Sequence, residues 1–302
     1  MSVEWAALPA EDLQAVVGLS RRCLAVDRGL SVTASRGFLE KRYTGEGVSA
    51  VGGFYDDTLI AAGSVRDVRG FTVVTGQVDP AHRRRGLGSA LLDQLLETAR
   101  RRPGALRVET ESLTADADDL FRSRGLRQAF AEDVMHRGLE DPLPEVLLPA
   151  GVETEEWGDA NQGDFFDAYR SSFADRPGFP GWTREQWTDW TAGDDFRPQY
   201  SLLARSSAGA PVGFVTCAQD FLIQVGVAPR GRRRGLGRSL AVAALTRMRS
   251  GGGTDVFLDV NVNNPASAAL FRSLGFTSTA RRARYESSRY STPASRSCCG
   301  PG

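Results

Sequence analysis

Apolar residues along the chain change period several times, and each change marks an element. Val3 to Leu8 reads as a first strand, and Ala10 to Leu24 sets Leu13, Val16, Val17 and Leu24 near helical spacing. Val48 to Phe54 and Thr58 to Val65 are short apolar runs joined through Tyr55, Asp56 and Asp57, which predicts a hairpin. Phe71 to Val78 is the next strand. Leu91, Leu92, Leu95, Leu96 and Ala99 then repeat every three to four residues, predicting an amphipathic helix that stops before Pro103 and Gly104. Leu106 to Glu111 returns to strand alternation, Ala117 to Ser123 is helical up to Gly125, and Ala129 to Met135 is a last strand.

Glu140 to Ala150 contains Pro142, Pro144 and Pro149, which forbid continuous helix and favour an extended connection. Beyond it the pattern restarts. Pro211 to Thr216 echoes Ile60 to Val65, and Leu270 to Phe276 echoes Leu120 to Leu126. The strongest echo is Arg-Arg-Arg-Gly-Leu-Gly, which ends at Gly88 and again at Gly237, 149 residues later. Ordered marker pairs at one separation mean an internal duplication. The expected division is a first domain over 1–139, a linker over 140–150, a second domain over 151–286 and a disordered serine-rich tail over 287–302.

Two domains also suit the length of 302 residues, too long for one ordinary core. Acidic and basic residues balance at 37 each, so no global field points to nucleic acid or an anionic membrane. Lys41 is the sole lysine; every other basic side chain except two histidines is arginine. Cys23, Cys217, Cys298 and Cys299 lack zinc spacing, so no metal site is expected. No basic and apolar leader opens the chain and no apolar run approaches about 18 residues, which makes a cytoplasmic location the expectation.

The repeated stretch has chemistry of its own. In Ile223 to Gly237 an apolar run passes into a glycine-bearing turn and then a helix. Without Cβ atoms at Gly235 and Gly237, backbone N–H groups can approach a phosphate, which the helix dipole also favours. A plain tight turn is the competing reading for the glycines. Solvated turn charges compete for Arg83 to Arg85 and Arg232 to Arg234, and nucleic-acid binding would want a wider basic face interleaved with aromatic residues.

On these residues each half resembles the GNAT acyltransferase superfamily nearly from end to end. The second half shows Val227-Ala228-Pro229, Arg232 to Gly237, Asn264, Leu270, Phe271, Gly275 and Phe276 at the family's spacings. The first half keeps Val78-Asp79-Pro80 and Arg83 to Gly88 but has Thr114 for the asparagine and Leu126 for the final aromatic. The resemblance implies an α/β fold (an α+β mixed sheet) of two tandem GNAT-like acyl-CoA N-acyltransferase domains, the second catalytic and the first degenerate or regulatory. It implies acetyl-CoA or another acyl-CoA as co-substrate, without a metal. Coenzyme would be held by Val225, Gly226, Val227, Arg232, Arg233, Arg234, Gly235, Leu236, Gly237, Arg238, Asn264 and Phe271. Val78, Arg83, Arg84, Arg85, Gly86, Leu87, Gly88 and Ser89 are the first-half counterparts. The tandem layout also resembles the mycothiol synthases, whose acceptor is an amino-sugar cysteine conjugate.

Amine acylation needs a free lone pair, so a carboxylate must take a proton directly or through water. Asp259, five residues before Asn264, matches the base glutamate of relatives resembling ribosomal-protein alanine acetyltransferases; Glu109 matches it in the first half. Asp220 is the rival, and a surface carboxylate is the bland alternative for each. The family's tyrosine acid is replaced by Phe271 and Phe121, which keeps a noncatalytic acyl-CoA sensor open as another class. The acceptor, a small-molecule or peptide amine rather than nucleic acid or membrane, is expected on Tyr169 to Trp190, a loop before a helix. Trp182, Trp187 and Trp190 are the expected contacts there, with core packing as the competing role.

Overall fold

The structure is a computed structural model that describes residues 2–175 and 179–287. Among the described residues the chain passes through one series of ten strands and α-helices twice. First come β1 (Glu4–Ala7), α1 (Leu13–Asp27), α2 (Arg36–Tyr43), β2 (Ser49–Tyr55), β3 (Thr58–Val68), β4 (Phe71–Val78), α3 (Leu87–Arg100), β5 (Ala105–Thr110), α4 (Ala115–Ser123) and β6 (Leu126–Gly138). The series returns as β7 (Val152–Glu156), α5 (Gln162–Phe173), α6 (Arg184–Thr191), β8 (Leu202–Ser206), β9 (Pro211–Cys217), β10 (Leu222–Val227), α7 (Leu236–Ser250), β11 (Asp255–Asn261), α8 (Pro265–Ser273) and β12 (Thr277–Ser287). The duplication expected from three marker pairs therefore extends to every strand and α-helix.

Two compact units result, and their limits differ from the expected ones. Among the described residues, the first joins 2–134 with 279–287, and the second lies within Met135–Ser278. The last strand of the chain is thus built into the first unit: Ala283, Arg284, Tyr285 and Glu286 pair antiparallel with Thr110, Glu109, Val108 and Arg107 of β5. Arg107 adds an ion pair to Glu286 at 2.6 Å, and the Tyr285 hydroxyl donates to Asp118. A division at the proline-rich segment alone misses this exchange because linker chemistry carries no information about which edge a remote strand completes. Ser287, expected in the tail, ends β12; the rest of that tail, with Cys298 and Cys299, lies outside the described residues.

In the first unit β1, β2, β3 and β4 form an antiparallel meander, and β4 then pairs in parallel with β5. The hairpin turn between β2 and β3 places Asp56 and Asp57 at φ 47° and 59°, the left-handed conformation that two-residue hairpins require. The five periodic apolar residues of α3 are all buried, and that helix packs on β3 and β4. Sequence periodicity did not reveal α2. Only Leu39 and Tyr43, one turn apart, are buried along it, and its start is marked by Ser35, whose side chain accepts from the Phe38 N–H. In the second unit β7 to β10 form an antiparallel sheet, and β11 lies beside the end of β6. α7 buries Leu236, Leu240, Leu245 and Met248 in its core.

The aromatic stretch expected to face the acceptor is divided by the fold. Tyr169 lies in α5 rather than a loop; α6 starts after Thr183, whose side chain forms a capping box with Gln186. Trp187 is fully buried, stacks on Tyr169 at 5.1 Å and donates from its indole N–H to Gln224 at 3.0 Å. It is a core residue and offers no surface to an acceptor. Trp190 is 49% exposed and packs on Trp182 at 5.2 Å. Trp187→Ala is expected to destabilise the protein by about 3–5 kcal/mol. Trp182→Ala and Trp190→Ala should leave the melting temperature nearly unchanged and raise the acceptor KM; thermal melts and acceptor titrations separate the two behaviours.

Candidate active site

Each unit opens a gap where two parallel strands part. In the first, β4 and β5 pair from Phe71 with Ala105 to Val74 with Val108, and then separate. In the second, the residue just before β10 meets β11 in the one bridge seen there among the described residues, Phe221 with Phe257, where the Phe257 N–H donates to Asp220 O at 2.8 Å. On the far side of each gap edge, the Asp79 N–H donates to Ile60 O and the Ala228 N–H to Val212 O, both towards the neighbouring antiparallel strand. N–H groups alternate sides along a strand, so those of Gly76, Val78, Val225 and Val227 point into the gaps. Gly226, expected with Val225 and Val227 to hold the coenzyme, turns its N–H towards β9 instead. β10 is irregular between Leu222 and Gln224.

Beyond each strand the turn into the helix has nearly identical geometry in both units. Arg84 and Gly86 have φ of 63° and 82°; Arg233 and Gly235 have 60° and 81°. The arginines between strand and helix brace this turn. Arg83 donates to Val78 O at 2.9 Å and grips Asp27 with two bonds of 2.6 Å. Arg232 donates to Val227 O and Ser172 O, both at 3.1 Å. Arg84 pairs with Asp116, Arg234 donates to Ala150 O at 3.1 Å and Arg238 to Ser273 at 3.3 Å. These five side chains are thus engaged by the protein, while the first N–H groups of α3 and α7, at Leu87, Gly88 and Ser89 and at Leu236, Gly237 and Arg238, have no carbonyl within the helix, an arrangement that suits an anion.

Gly237 tests whether this turn suits a coenzyme pyrophosphate. A Cβ built there meets only Val227 at 3.4 Å and Leu270 at 3.8 Å, ordinary contacts, and one at Gly88 meets only Leu120 at 3.6 Å. Internal packing therefore does not require glycine at either position, although glycine in a helix costs about 1 kcal/mol relative to alanine. A ligand lying against these N–H groups would leave no room for a Cβ.

The substitutions in the first half preserve structure. Thr114 accepts from the Ala117 N–H at 3.2 Å, and Asn264 accepts from the Ser267 N–H at the same distance, so both cap the following helix. Leu126 and Phe276 are both buried core residues. Phe271 is buried against Phe276 at 5.5 Å, while Phe121 lines a cavity. That cavity, of about 700 Å3, runs through the first unit from Arg84, Gly86, Gly88 and Ser89 past Gly76 and Val78 to Glu109 and Glu111. Cys23 also lines it, its thiol pushed up to about 11, chiefly by burial.

The two candidate bases of the second unit occupy different ends of its gap. Asp220 lies at the joined end, where burial, then the nearby carboxylates of Asp195 and Asp255, raise its pKa despite a backbone hydrogen bond that opposes them. Asp259 is half-buried and two residues past the bridge, at the start of the opening. Glu109 holds the matching place in the first unit, one residue past Val108, bonded to Arg66 at 3.1 Å. Among the described residues no group of three histidine, cysteine or carboxylate side chains could hold a metal, and no helix is long and apolar enough to cross a membrane.

Parted parallel strands followed by a phosphate-suited turn, present twice, define a tandem acyl-CoA-dependent N-acetyltransferase. The acetyltransferase (GNAT) family matches residues 24–126 and 161–276, and the chain belongs to it. It is 34% identical over 216 residues to a mycothiol acetyltransferase of Clavibacter sepedonicus, covering 69% of this chain and 70% of that one. A mycothiol acetyltransferase of Thermomonospora curvata is 36% identical over 218 residues, covering 70% and 72%. The fold matches a GCN5-related N-acetyltransferase from Sphaerobacter thermophilus with a TM-score of 0.77 at 22% identity over 94% of both chains. A tandem GNAT protein from the clavulanic acid biosynthesis pathway matches with a TM-score of 0.62 at 19% identity, over 94% of this chain and 98% of that one. The protein is an N-acetyltransferase that uses acetyl-CoA and acetylates an amine.

Proposed function

We propose that the second unit carries out the transfer, with an α-amine or amino-sugar amine as acceptor. The observation that carries this reading is the gap beyond Phe257, with the Val225 and Val227 N–H groups directed into it and Asp259 at its opening. In the reaction the amine nitrogen bonds to the acetyl carbonyl carbon and the carbon–sulfur bond breaks. The electron pair leaves with sulfur, and the amine proton passes to Asp259, directly or through water. The two backbone N–H groups stabilise charge on the carbonyl oxygen. No acid is needed for the departing thiolate, because thiols have pKa values near about 8.5. An α-amine, near about 7.7–8.0, is substantially free at mildly alkaline pH, unlike a lysine side chain near about 10.4.

The mycothiol acetyltransferase relatives favour an amino-sugar cysteine conjugate within this acceptor class. The cavity around Glu109 favours a second reading, in which the first unit holds its own acetyl-CoA and turns over beside it. The test offers acetyl-CoA with a panel containing that conjugate, amino acids, peptides and amino sugars, measuring thiol release and product mass. Acetylation of the conjugate or another α-amine is the expected result. Acetylation of none of the α-amines or amino sugars in the panel would overturn the acceptor assignment.

A further inference from the structure

The second unit buries three side-chain hydroxyls, of Ser172, Thr191 and Thr216, that have no hydrogen-bond partner among the described residues. Thr191 ends α6, and Thr216 lies on β9 opposite Gln224. Ser172 alone lies against the gap edge. It is 6% exposed, and a Cβ added to Gly226 would come within 2.9 Å of its own Cβ, so α5 sets Ser172 directly over the residue between Val225 and Val227. Arg232 holds it there, donating to Ser172 O and Val227 O at once.

The first unit supplies an independent indication of what this position faces. Cys23, 149 residues earlier and therefore the counterpart of Ser172, lines the cavity together with Gly76 and Val78, its thiol 3.5 Å from Val78 O. The same place on the first helix of each repeat thus overlooks the strand whose amides enter the gap. Burying a hydroxyl without a partner is unfavourable, and a bound ligand is one way in which such a group is completed.

We propose that the Ser172 hydroxyl is a third donor to the acetyl carbonyl oxygen, alongside the Val225 and Val227 N–H groups, as that oxygen gains negative charge. The hydroxyl keeps its proton; it contributes a hydrogen bond and transfers nothing. It strengthens carbonyl activation in a site whose usual tyrosine position is occupied by the buried Phe271. This inference rests on the second unit being the site of transfer.

Removing one such donor costs about 10² to 10³ in turnover. Ser172→Ala is therefore expected to lower kcat by about 10² or more, with the acetyl-CoA KM within about twofold of the parent and the pH–rate profile unchanged in shape. Ser172→Cys, which installs the side chain of the first unit and a weak donor, should fall between the two and carries the same test if Ser172→Ala melts early. Turnover of a folded Ser172→Ala enzyme within about threefold of the parent, or of a Ser172→Cys enzyme equal to the parent where Ser172→Ala does not fold, would overturn the proposal. Gly237→Asp, run in parallel, locates any fault. Full activity in that variant would remove the second unit as the reaction site and this proposal with it, whereas an inactive Gly237→Asp beside an active Ser172→Ala rejects the hydroxyl alone.

Discussion

Gly237→Asp is expected to abolish coenzyme binding in the second unit and nearly all acetyl transfer, while the protein stays folded. The substituted Cβ has room, since its closest contact is Val227 at 3.4 Å. A carboxylate in the first turn of α7 is favourable to the helix itself, by about 0.3–1 kcal/mol, because it complements the helix dipole. It also occupies the place of the pyrophosphate and repels it. Binding and folding therefore respond in opposite directions, which no packing defect would produce. Calorimetry with acetyl-CoA should show the second site weakened by more than about 100-fold, as expected for a like charge placed in a phosphate site, with an unchanged or slightly raised melting temperature. Gly88→Asp makes the same change at the first turn. Transfer lost in Gly88→Asp and kept in Gly237→Asp would assign the reaction to the cavity beside Glu109 instead.

Asp259→Asn is expected to reduce turnover by about 10² to 10⁴, the usual contribution of a positioned base. Its acidic limb should disappear from the pH–rate profile, because that limb requires a carboxyl that titrates. Coenzyme affinity should change little, since Asp259 lies at the start of the gap and the pyrophosphate-suited turn lies beyond Val227. Phe271→Tyr, by contrast, should be neutral or mildly activating. An Asp259→Asn enzyme with the parent pH–rate behaviour would transfer the role to Asp220, which lies at the joined end of the strands.

Most of the strands and the glycine-bearing turns before α3 and α7 were legible in the chain because they rest on local rules. Phe71 to Val78 reads as one strand and forms one, and Gly86 and Gly235 adopt the left-handed conformation that their place before a helix suggests. Features decided by distant residues were not. Helix α2 was hidden because only two of its side chains face inward, and Trp187 was indistinguishable from a ligand contact until Tyr169, Phe214 and Gln224 closed around it. Thr114 and Leu126 looked like erosion of a signature, yet one caps a helix and the other fills a core as their counterparts do. The role of Ser172 had no local signal at all; only its lack of a partner and its place over Gly226 reveal it.

The strand pairing of β12 with β5 sets an order in time. The first unit includes residues 279–287, so its sheet is not complete when its own 134 leading residues have been synthesised. At about 5–20 residues per second, the ribosome needs roughly 7 to 29 s more to reach that strand. Throughout this interval the β5 edge lacks the Ala283–Glu286 partner, and an unpaired edge is a template for pairing with other chains. A chain ended at Ser278 should therefore aggregate on refolding, with added peptide 279–287 restoring solubility. Nascent-chain proteolysis should likewise find the first unit cleavable long after its leading residues have left the exit tunnel. Duplication has doubled the fold, yet the copy that is synthesised first is the one whose sheet is completed last.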